Sequence, residues 1–205
     1  MPSEPSETSH DWGEIDARRT MLHGIPHLER TAARVLLLDP ADHVLLLHYP
    51  VLLHAGRSME RWLLPGGGLD PEESYEAGAR RELFEETGLE IDRFEGEVFR
   101  RDFTIRWGDG TLHQHERVFL ARINQLDPEI HAQERTPQWW TAERMISSGI
   151  STRPFELGLL VTQLISDGLP ASPWKLEPLI APPVRELWRS LGVPDDEIDG
   201  GAAAP

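Results

Sequence analysis

Glu82, Glu85 and Glu86 stand at the spacing i, i+3, i+4. On a helix three such side chains meet on one side, with Cβ atoms about 5–6 Å apart. Like charges that close repel, so a chain that keeps them together is expected to hold a cation between them. Just upstream, Pro65-Gly66-Gly67-Gly68 places three successive residues without a Cβ, and a backbone of that kind can approach a ligand closely. Arg61-Trp62-Leu63-Leu64 reads as a short strand leading into this loop. The region therefore asks for a strand, a tight glycine loop and a helix, in that order.

The helix carries its own punctuation. Asp70 is expected as the N-cap, Pro71 at the first helical position and Glu73 where a capping box places a carboxylate. Gly88 is a natural C-terminal stop. At about 100° per residue, Tyr75, Ala79 and Leu83 form one apolar side, with Ala77 and Phe84 roughly opposite. That pattern predicts a helix sandwiched on two sides, with Glu82 and Glu86 bordering the core.

Around it the chain alternates strands and helices. Residues 31–38 read as a strand, 39–42 as a turn and 43–48 as the returning strand. Both runs are too continuously apolar for a sheet with one wet face, so burial on both faces is expected. Residues 97–106 and 112–122 read as a hairpin around Gly108-Asp109-Gly110, with Gln114, Glu116, Val118 and Leu120 sharing one face of the second strand. Pro137-Gln138-Trp139-Trp140 reads as a short strand, and Thr141 as the cap of a helix over 142–148. Helical patterns follow at 155–167 and 184–191. Residues 1–28 are expected as a loose acidic arm, 29–168 as the folded domain and 169–205 as a proline-rich extension with an acidic tail.

Charge narrows the partners. The net charge is −15, and residues 1–16 and 193–205 hold nine acids without a Lys or Arg, leaving about −6 for the body. Sequence-independent binding to nucleic acid rests on Lys and Arg neutralising phosphates, so long DNA or RNA is a poor partner. An anionic small molecule remains open if a metal ion supplies local positive charge. No stretch approaches the roughly 18 apolar residues of a membrane-spanning helix, and the polar, acidic start does not read as a secretory signal. The absence of cysteine removes disulfides and thiolate chemistry and fits a cytoplasmic location. A second copy of the chain is the other partner left open.

The segment from Gly67 to Leu89 resembles the Nudix hydrolase signature, G-x5-E-x7-R-E-U-x-E-E-x-G-U, in which U is a bulky aliphatic residue. Gly67, Glu73, Arg81, Glu82, Leu83, Glu85, Glu86, Gly88 and Leu89 fill every specified position. The resemblance implies an α/β/α sandwich with a mixed β-sheet, here with N- and C-terminal extensions. It implies that Glu82, Glu85 and Glu86 bind Mg²⁺ or Mn²⁺, hard ions suited to oxygen-only ligands, joined by a loop carbonyl, that of Gly66. It gives Arg81 the task of orienting these glutamates and Glu73 that of pairing with Arg81, although a capping carboxylate explains Glu73 as well. The reaction implied is hydrolysis of a diphosphate bond in a nucleoside diphosphate linked to another group. The rival is a Nudix-fold module that senses a ligand or binds a protein without catalysis; such relatives usually have damaged boxes, and this one is intact.

Outside the box the residues leave more open. A general base must come from a carboxylate beyond the box, and Glu116, Glu129 and Glu134 are the candidates. Glu116 shares its strand face with Val118 and Leu120, which is expected to point inward, and reads equally as an extra metal ligand. Glu134, with Pro137 three residues on and Trp140 six residues on, reproduces the base's spacing in the nucleoside-triphosphate pyrophosphatases of the family. His113-x-His115 is a candidate metal pair, but two histidines without a third ligand are more often polar surface. Trp107 and Trp139 are candidates for stacking on a base, with Trp139 and Trp140 on opposite faces if extended. Substrate markers known in the family are missing: Ile105 stands where the ADP-ribose type has a proline, Trp107 is the only aromatic near the tyrosine position of the dinucleoside-polyphosphate type, and the cysteine of the isomerase relatives is absent.

Overall fold

A computed structural model describes residues 20–52, 58–107, 109–126, 128–132, 135–176, 179–180 and 182–195. The chain forms two compact units, one of Thr31–Arg101 with Glu116–Leu176, the other of Met1–Arg30 with Asp102–His115 and Glu177–Pro205. Strands β2 (Ile25–Leu38), β6 (Gly96–Trp107) and β7 (Gly110–Arg122) contribute residues to both.

The larger unit is a mixed sheet between helices. To those strands it adds β3 (Val44–Leu52), β4 (Ser58–Leu63), β5 (Gly66–Gly68), β8 (Thr136–Trp140), β9 (Thr152–Arg153) and β10 (Trp174–Lys175), in the order β10-β6-β7-β2-β3-β4-β9. β5 pairs with β2, and β8 with β3. The pairings of β6 with β10 and of β4 with β9 are parallel, and those of β3 with β2, β4 and β8 are antiparallel. The unbroken apolar runs of β2 and β3 are buried on both faces, as their composition requires. Leu36, Leu38, Val44 and Leu46 join Val118, Leu120 and Trp140 in one core. Val35, Leu37 and Leu45 join Phe119 and Ala121 in the other.

Helix α1 (Tyr75–Thr87) covers the second core with Ala79 and Leu83. The first core is closed by α2 (Ala142–Ser148) through Met145 and by α3 (Leu157–Asp167) through Leu157, Val161 and Leu164, positions i, i+4 and i+7 of one helical stripe. Thr141 caps α2 as its sequence predicts, accepting from the Arg144 amide at 3.0 Å.

Three expectations for this unit need correction. The box helix starts at Ser74, whose hydroxyl accepts from the Ala77 amide at 3.2 Å, and not at Asp70. Residues Asp70 to Glu73 form a turn instead, with Glu72 at φ 64°, a conformation that a helix cannot begin from. The helix is apolar on one side only: Phe84 is 52% exposed, because the sheet meets only the Ala79–Leu83 face. The glycine segment is itself a strand, with Gly66, Gly67 and Gly68 opposite Arg34, Ala33 and Ala32.

The smaller unit also departs from expectation, because the loose arm expected through residue 28 is in strands from Thr20 onward. β1 (Thr20–Leu22) pairs with the start of β2, where backbone pairing and buried apolar contacts order a segment whose composition reads as polar. In the expected C-terminal extension, β11 (Leu179–Ile180) pairs with β6, and α4 (Pro182–Ser190) buries Trp188 against Leu22, Ile25, Leu187 and Val193.

Candidate active site

The site grows from the pairing of β5 with β2. Arg34 lies opposite Gly66, and its Nη1 donates to the carbonyls of Leu64 at 2.7 Å and Gly66 at 2.9 Å. Gly66 has φ 136°, and a Cβ there would collide with the Ala33 carbonyl and lie 2.6 Å from the Arg34 Cα. A Cβ on Gly67 would lie 2.5–2.6 Å from the Glu82 carboxylate. The glycines are therefore required by close approach: the loop backbone fits directly against a box glutamate.

Arg34 is held in turn. Its Nε donates to Glu116 Oε2 at 2.6 Å, and Arg101 Nε donates to Glu116 Oε1 at 2.5 Å. The Glu116 side chain is fully buried. Burial alone would raise its pKa, but the two guanidiniums outweigh burial and hold it at about 2. Burial opposes the charge of Arg34 too, and Glu116 overrides it, so that Arg34 stays above its ordinary range. Glu116 does face inward, but as the anchor of two arginines, and a carboxylate so held is a very weak base. That argues against the assignment of Glu116 as general base.

Helix α1 presents the three glutamates at graded depth. Glu82 is buried, Glu86 half-buried and Glu85 exposed. Glu86 Oε1 accepts from the Tyr49 hydroxyl at 2.6 Å, and its Oε2 from the Gly66 amide at 2.8 Å. Burial and the Glu86 charge push the Tyr49 phenol above its ordinary pKa, so it remains a donor. Burial, then the Glu86 charge, raises the Glu82 carboxyl, with Arg81 partly offsetting both.

Arg81 ties the group to the preceding turn. Its Nε and Nη2 donate to the two oxygens of Glu73 at 3.0 and 2.9 Å, and Nη2 also donates to the Gly68 carbonyl at 3.0 Å. Nη1 reaches Glu82 at 3.2 Å and Glu85 at 3.1 Å. The hydrogen bond to Arg81 lowers the pKa of Glu73, whose Oε2 also accepts from the Asp70 amide. Glu73 thus braces the turn before the helix. Gly88, at φ 70°, ends the helix by donating to the Phe84 carbonyl.

The donor set fits a hard divalent ion. It is all oxygen: three carboxylates, plus a Gly66 carbonyl that keeps a second lone pair while accepting from Arg34. Glu86 turns to Tyr49 and the Gly66 amide, whereas Glu82 and Glu85 share Arg81 Nη1.

The other candidates scatter. Trp139 pairs with Leu45 and packs with the core beneath α1, whereas Trp140 lies in the opposite core. Trp139 is therefore the member of that pair on the box side of the sheet. Glu134 and the Trp107 side chain lie outside the described residues. Among the described residues, the trio of His, Asp and Glu donors that approach within 4.8 Å of one another is Glu29, His113 and His115. It lies in the smaller unit and includes no box residue. Burial lowers the pKa of His113, leaving its ring neutral at pH 7.

Sequence reading missed Arg34, Arg101 and Tyr49. Arg34 left a signal, since a lone arginine inside a strand buried on both faces demands a carboxylate partner. Its partner is 82 residues away, and no local pattern points to it.

A family model described as the NUDIX domain matches residues 28–154. An RNA pyrophosphohydrolase of Cereibacter sphaeroides is 28% identical over 141 residues, which cover 59% of this chain and 87% of that protein. A nucleoside triphosphatase, NudI, of an Enterobacter species is 40% identical over 63 residues, covering 29% of this chain and 45% of that protein. The solution structure of the E. coli ORF135 protein aligns at 19% identity with a TM-score of 0.48, over 70% of this chain and 95% of that one.

Proposed function

The chain belongs to the NUDIX family, and we propose that it is a metal-dependent pyrophosphohydrolase that cleaves the diphosphate linkage of a nucleoside diphosphate joined to another group, by attack of water on phosphorus. One observation carries the metal-dependent part of this reading: Gly67 lets the strand backbone close on the Glu82 carboxylate, on the same helix that presents Glu85 and Glu86. Glu82, Glu85, Glu86 and the Gly66 carbonyl would hold Mg²⁺ or Mn²⁺, which when bound neutralises diphosphate charge and lowers the pKa of water.

The chain's own residues do the positioning that dominates phosphoryl-transfer catalysis. Arg34, fixed by Glu116, holds the Gly66 carbonyl in place. Arg81 fixes the direction of Glu82 and Glu85 and, through Glu73, the turn before the helix. Tyr49 does the same for Glu86. Glu134 takes the proton of the attacking water, supported by its spacing to Pro137 and Trp140. Trp139 is the candidate to stack on the nucleobase.

The similar proteins are named for RNA and for nucleoside triphosphates. The net charge of −15, without a basic surplus, favours the free nucleotide. Hydrolysis of a panel of nucleoside triphosphates, nucleoside diphosphate sugars, dinucleoside polyphosphates and a 5′-triphosphorylated RNA, with Mg²⁺, Mn²⁺ or chelator, tests all of this. Metal-dependent release from a free nucleotide is expected. Binding without turnover across the panel would leave a ligand-sensing module. Glu134→Gln is expected to lower kcat by at least about 10² with KM nearly unchanged, as for a group acting in the transition state.

A further inference from the structure

A second constellation lies in the smaller unit, on alternate residues of neighbouring strands β2, β7 and β6, positions that share a sheet face. It comprises His27 and Glu29, then Thr111, His113 and His115, then Asp102 and Thr104. One donor atom each from Glu29, His113 and His115 lies within 4.8 Å of the other two, and His115 Nε2 is 3.3 Å from Glu29 Oε2. Ligands bonded at 2.0–2.1 Å around a tetrahedral ion stand about 3.3 Å from each other.

The hydrogen bonds of these residues decide which atoms are offered. His115 Nδ1 lies 2.7 Å from Asp102 Oδ1, and His113 Nδ1 lies 2.7 Å from Thr104 Oγ1. With a proton on each Nδ1, the Nε2 lone pair of each ring is left for a ligand. Glu29 Oε1 lies 2.9 Å from His27 Nε2, and His27 Nδ1 lies 2.7 Å from Thr111 Oγ1. Glu29 Oε2 is thereby left facing His115 Nε2, 3.3 Å away. A metal-binding histidine characteristically gives its other nitrogen to a carboxylate or another acceptor, which fixes tautomer and ring direction. Here all three donors have such a support.

We propose that Glu29, His113 and His115 form a second metal site of the two-imidazole, one-carboxylate kind, which takes Zn²⁺ or a similar borderline divalent ion and not Mg²⁺. Imidazole nitrogens favour Zn²⁺ over the hard ions that suit an all-oxygen set. The Glu29 and His115 side chains are 57% and 48% exposed, so the ion enters from solvent and keeps an open position for water. Binding joins β2 to β7 and stabilises the folded state by mass action.

The test uses tag-free, full-length protein stripped with chelator, in a millimolar excess of Mg²⁺ to fill the carboxylate set. Zn²⁺ is titrated by calorimetry, and Co²⁺ by its visible absorption. One equivalent is expected in the wild type and in Glu85→Gln. His113→Gln, His115→Gln and Glu29→Gln should each weaken binding at least about 10²-fold, and Asp102→Asn about 10–100-fold. Zn²⁺ should raise the Tm of the wild type more than that of the three ligand variants. Glu29→Gln, which alters a solvent-exposed group, serves if a histidine variant does not fold by circular dichroism. Absence of a stoichiometric Zn²⁺ equivalent, displacement by Mg²⁺, or unchanged affinity in Glu29→Gln overturns the site.

Discussion

The chain carries two clusters of ligand-type side chains, and they are built in opposite ways. Glu82, Glu85 and Glu86 come from two turns of one helix, and their repulsion is managed by cations and backbone: Arg81, the Gly66 amide and, through the Gly66 carbonyl, Arg34. Glu29, His113 and His115 come from two strands more than 80 residues apart, and each is braced by a hydrogen-bonding neighbour, His27, Thr104 and Asp102 in turn. The first cluster is anionic and all oxygen, the second rich in imidazole. A helix brings like side chains together by its period alone, whereas a sheet brings together whatever register and strand order decide. The first kind can be read from a string of residues, and the second cannot.

The largest expected effect falls on the support of the helical cluster. Arg34→Met leaves buried Glu116 with one of its two arginine pairs and strips the Gly66 carbonyl of its donor. A loss of about 3 kcal/mol is expected, the low end for breaking a buried ion pair, or a fall in Tm of about 6–12 °C in a chain of this size. An unchanged Tm would show that the arginine scaffold is dispensable and the contrast with the strand cluster overstated.

Next come the glutamates. Glu82→Gln, Glu85→Gln and Glu86→Gln should each lower turnover by at least about 10², near 2.7 kcal/mol, as for one preorganised electrostatic group. Thermal stability should hold or rise, because a crowded charge is removed. Near-normal turnover in all three would falsify the metal assignment. Gly67→Ala should do less, on the order of 10-fold, by placing a Cβ against the Glu82 carboxylate. Mn²⁺ affinity by electron paramagnetic resonance checks it, and an affinity equal to wild type would mean that Glu82 can step aside.

A pH series separates the arginine-braced carboxylate from the rest. Glu116 has a pKa of about 2 when folded against an ordinary 4.5. Its contribution to stability is therefore fully present above pH 4.5 and is lost as pH falls through 4.5 towards 2. The urea midpoint of the wild type should drop across that window, and Glu116→Gln should start lower and drop less. Equal slopes would detach Glu116 from acid sensitivity.

The smallest effect is expected from the ends. Removing residues 1–16, acidic and without Lys or Arg, should leave folding and metal-dependent activity unchanged. Removing 193–205, which composition treats as equally dispensable, should lower Tm, because Val193 packs against Trp188. Equal behaviour of the two truncations would show that this contact contributes nothing.

Sequence by itself determined the helix with its glutamate spacing, the glycine approach, the double burial of β2 and β3, the cap at Thr141 and the split of Trp139 from Trp140. Each depends on a period of 2 or 3.6 residues or on the steric freedom of one residue type, and these act within a few positions. Only the tertiary structure decided that the box helix starts at Ser74, that Phe84 faces out, that Thr20 onward is strand, and that Glu116 anchors Arg34 and Arg101. It alone set Glu29 beside His113 and His115. Helix start and exposure depend on which face the sheet offers and on where Arg81 finds Glu73. The Arg34–Glu116 pair and the imidazole cluster depend on strand order, which joins residues 82 to 86 positions apart, and no local period encodes that separation.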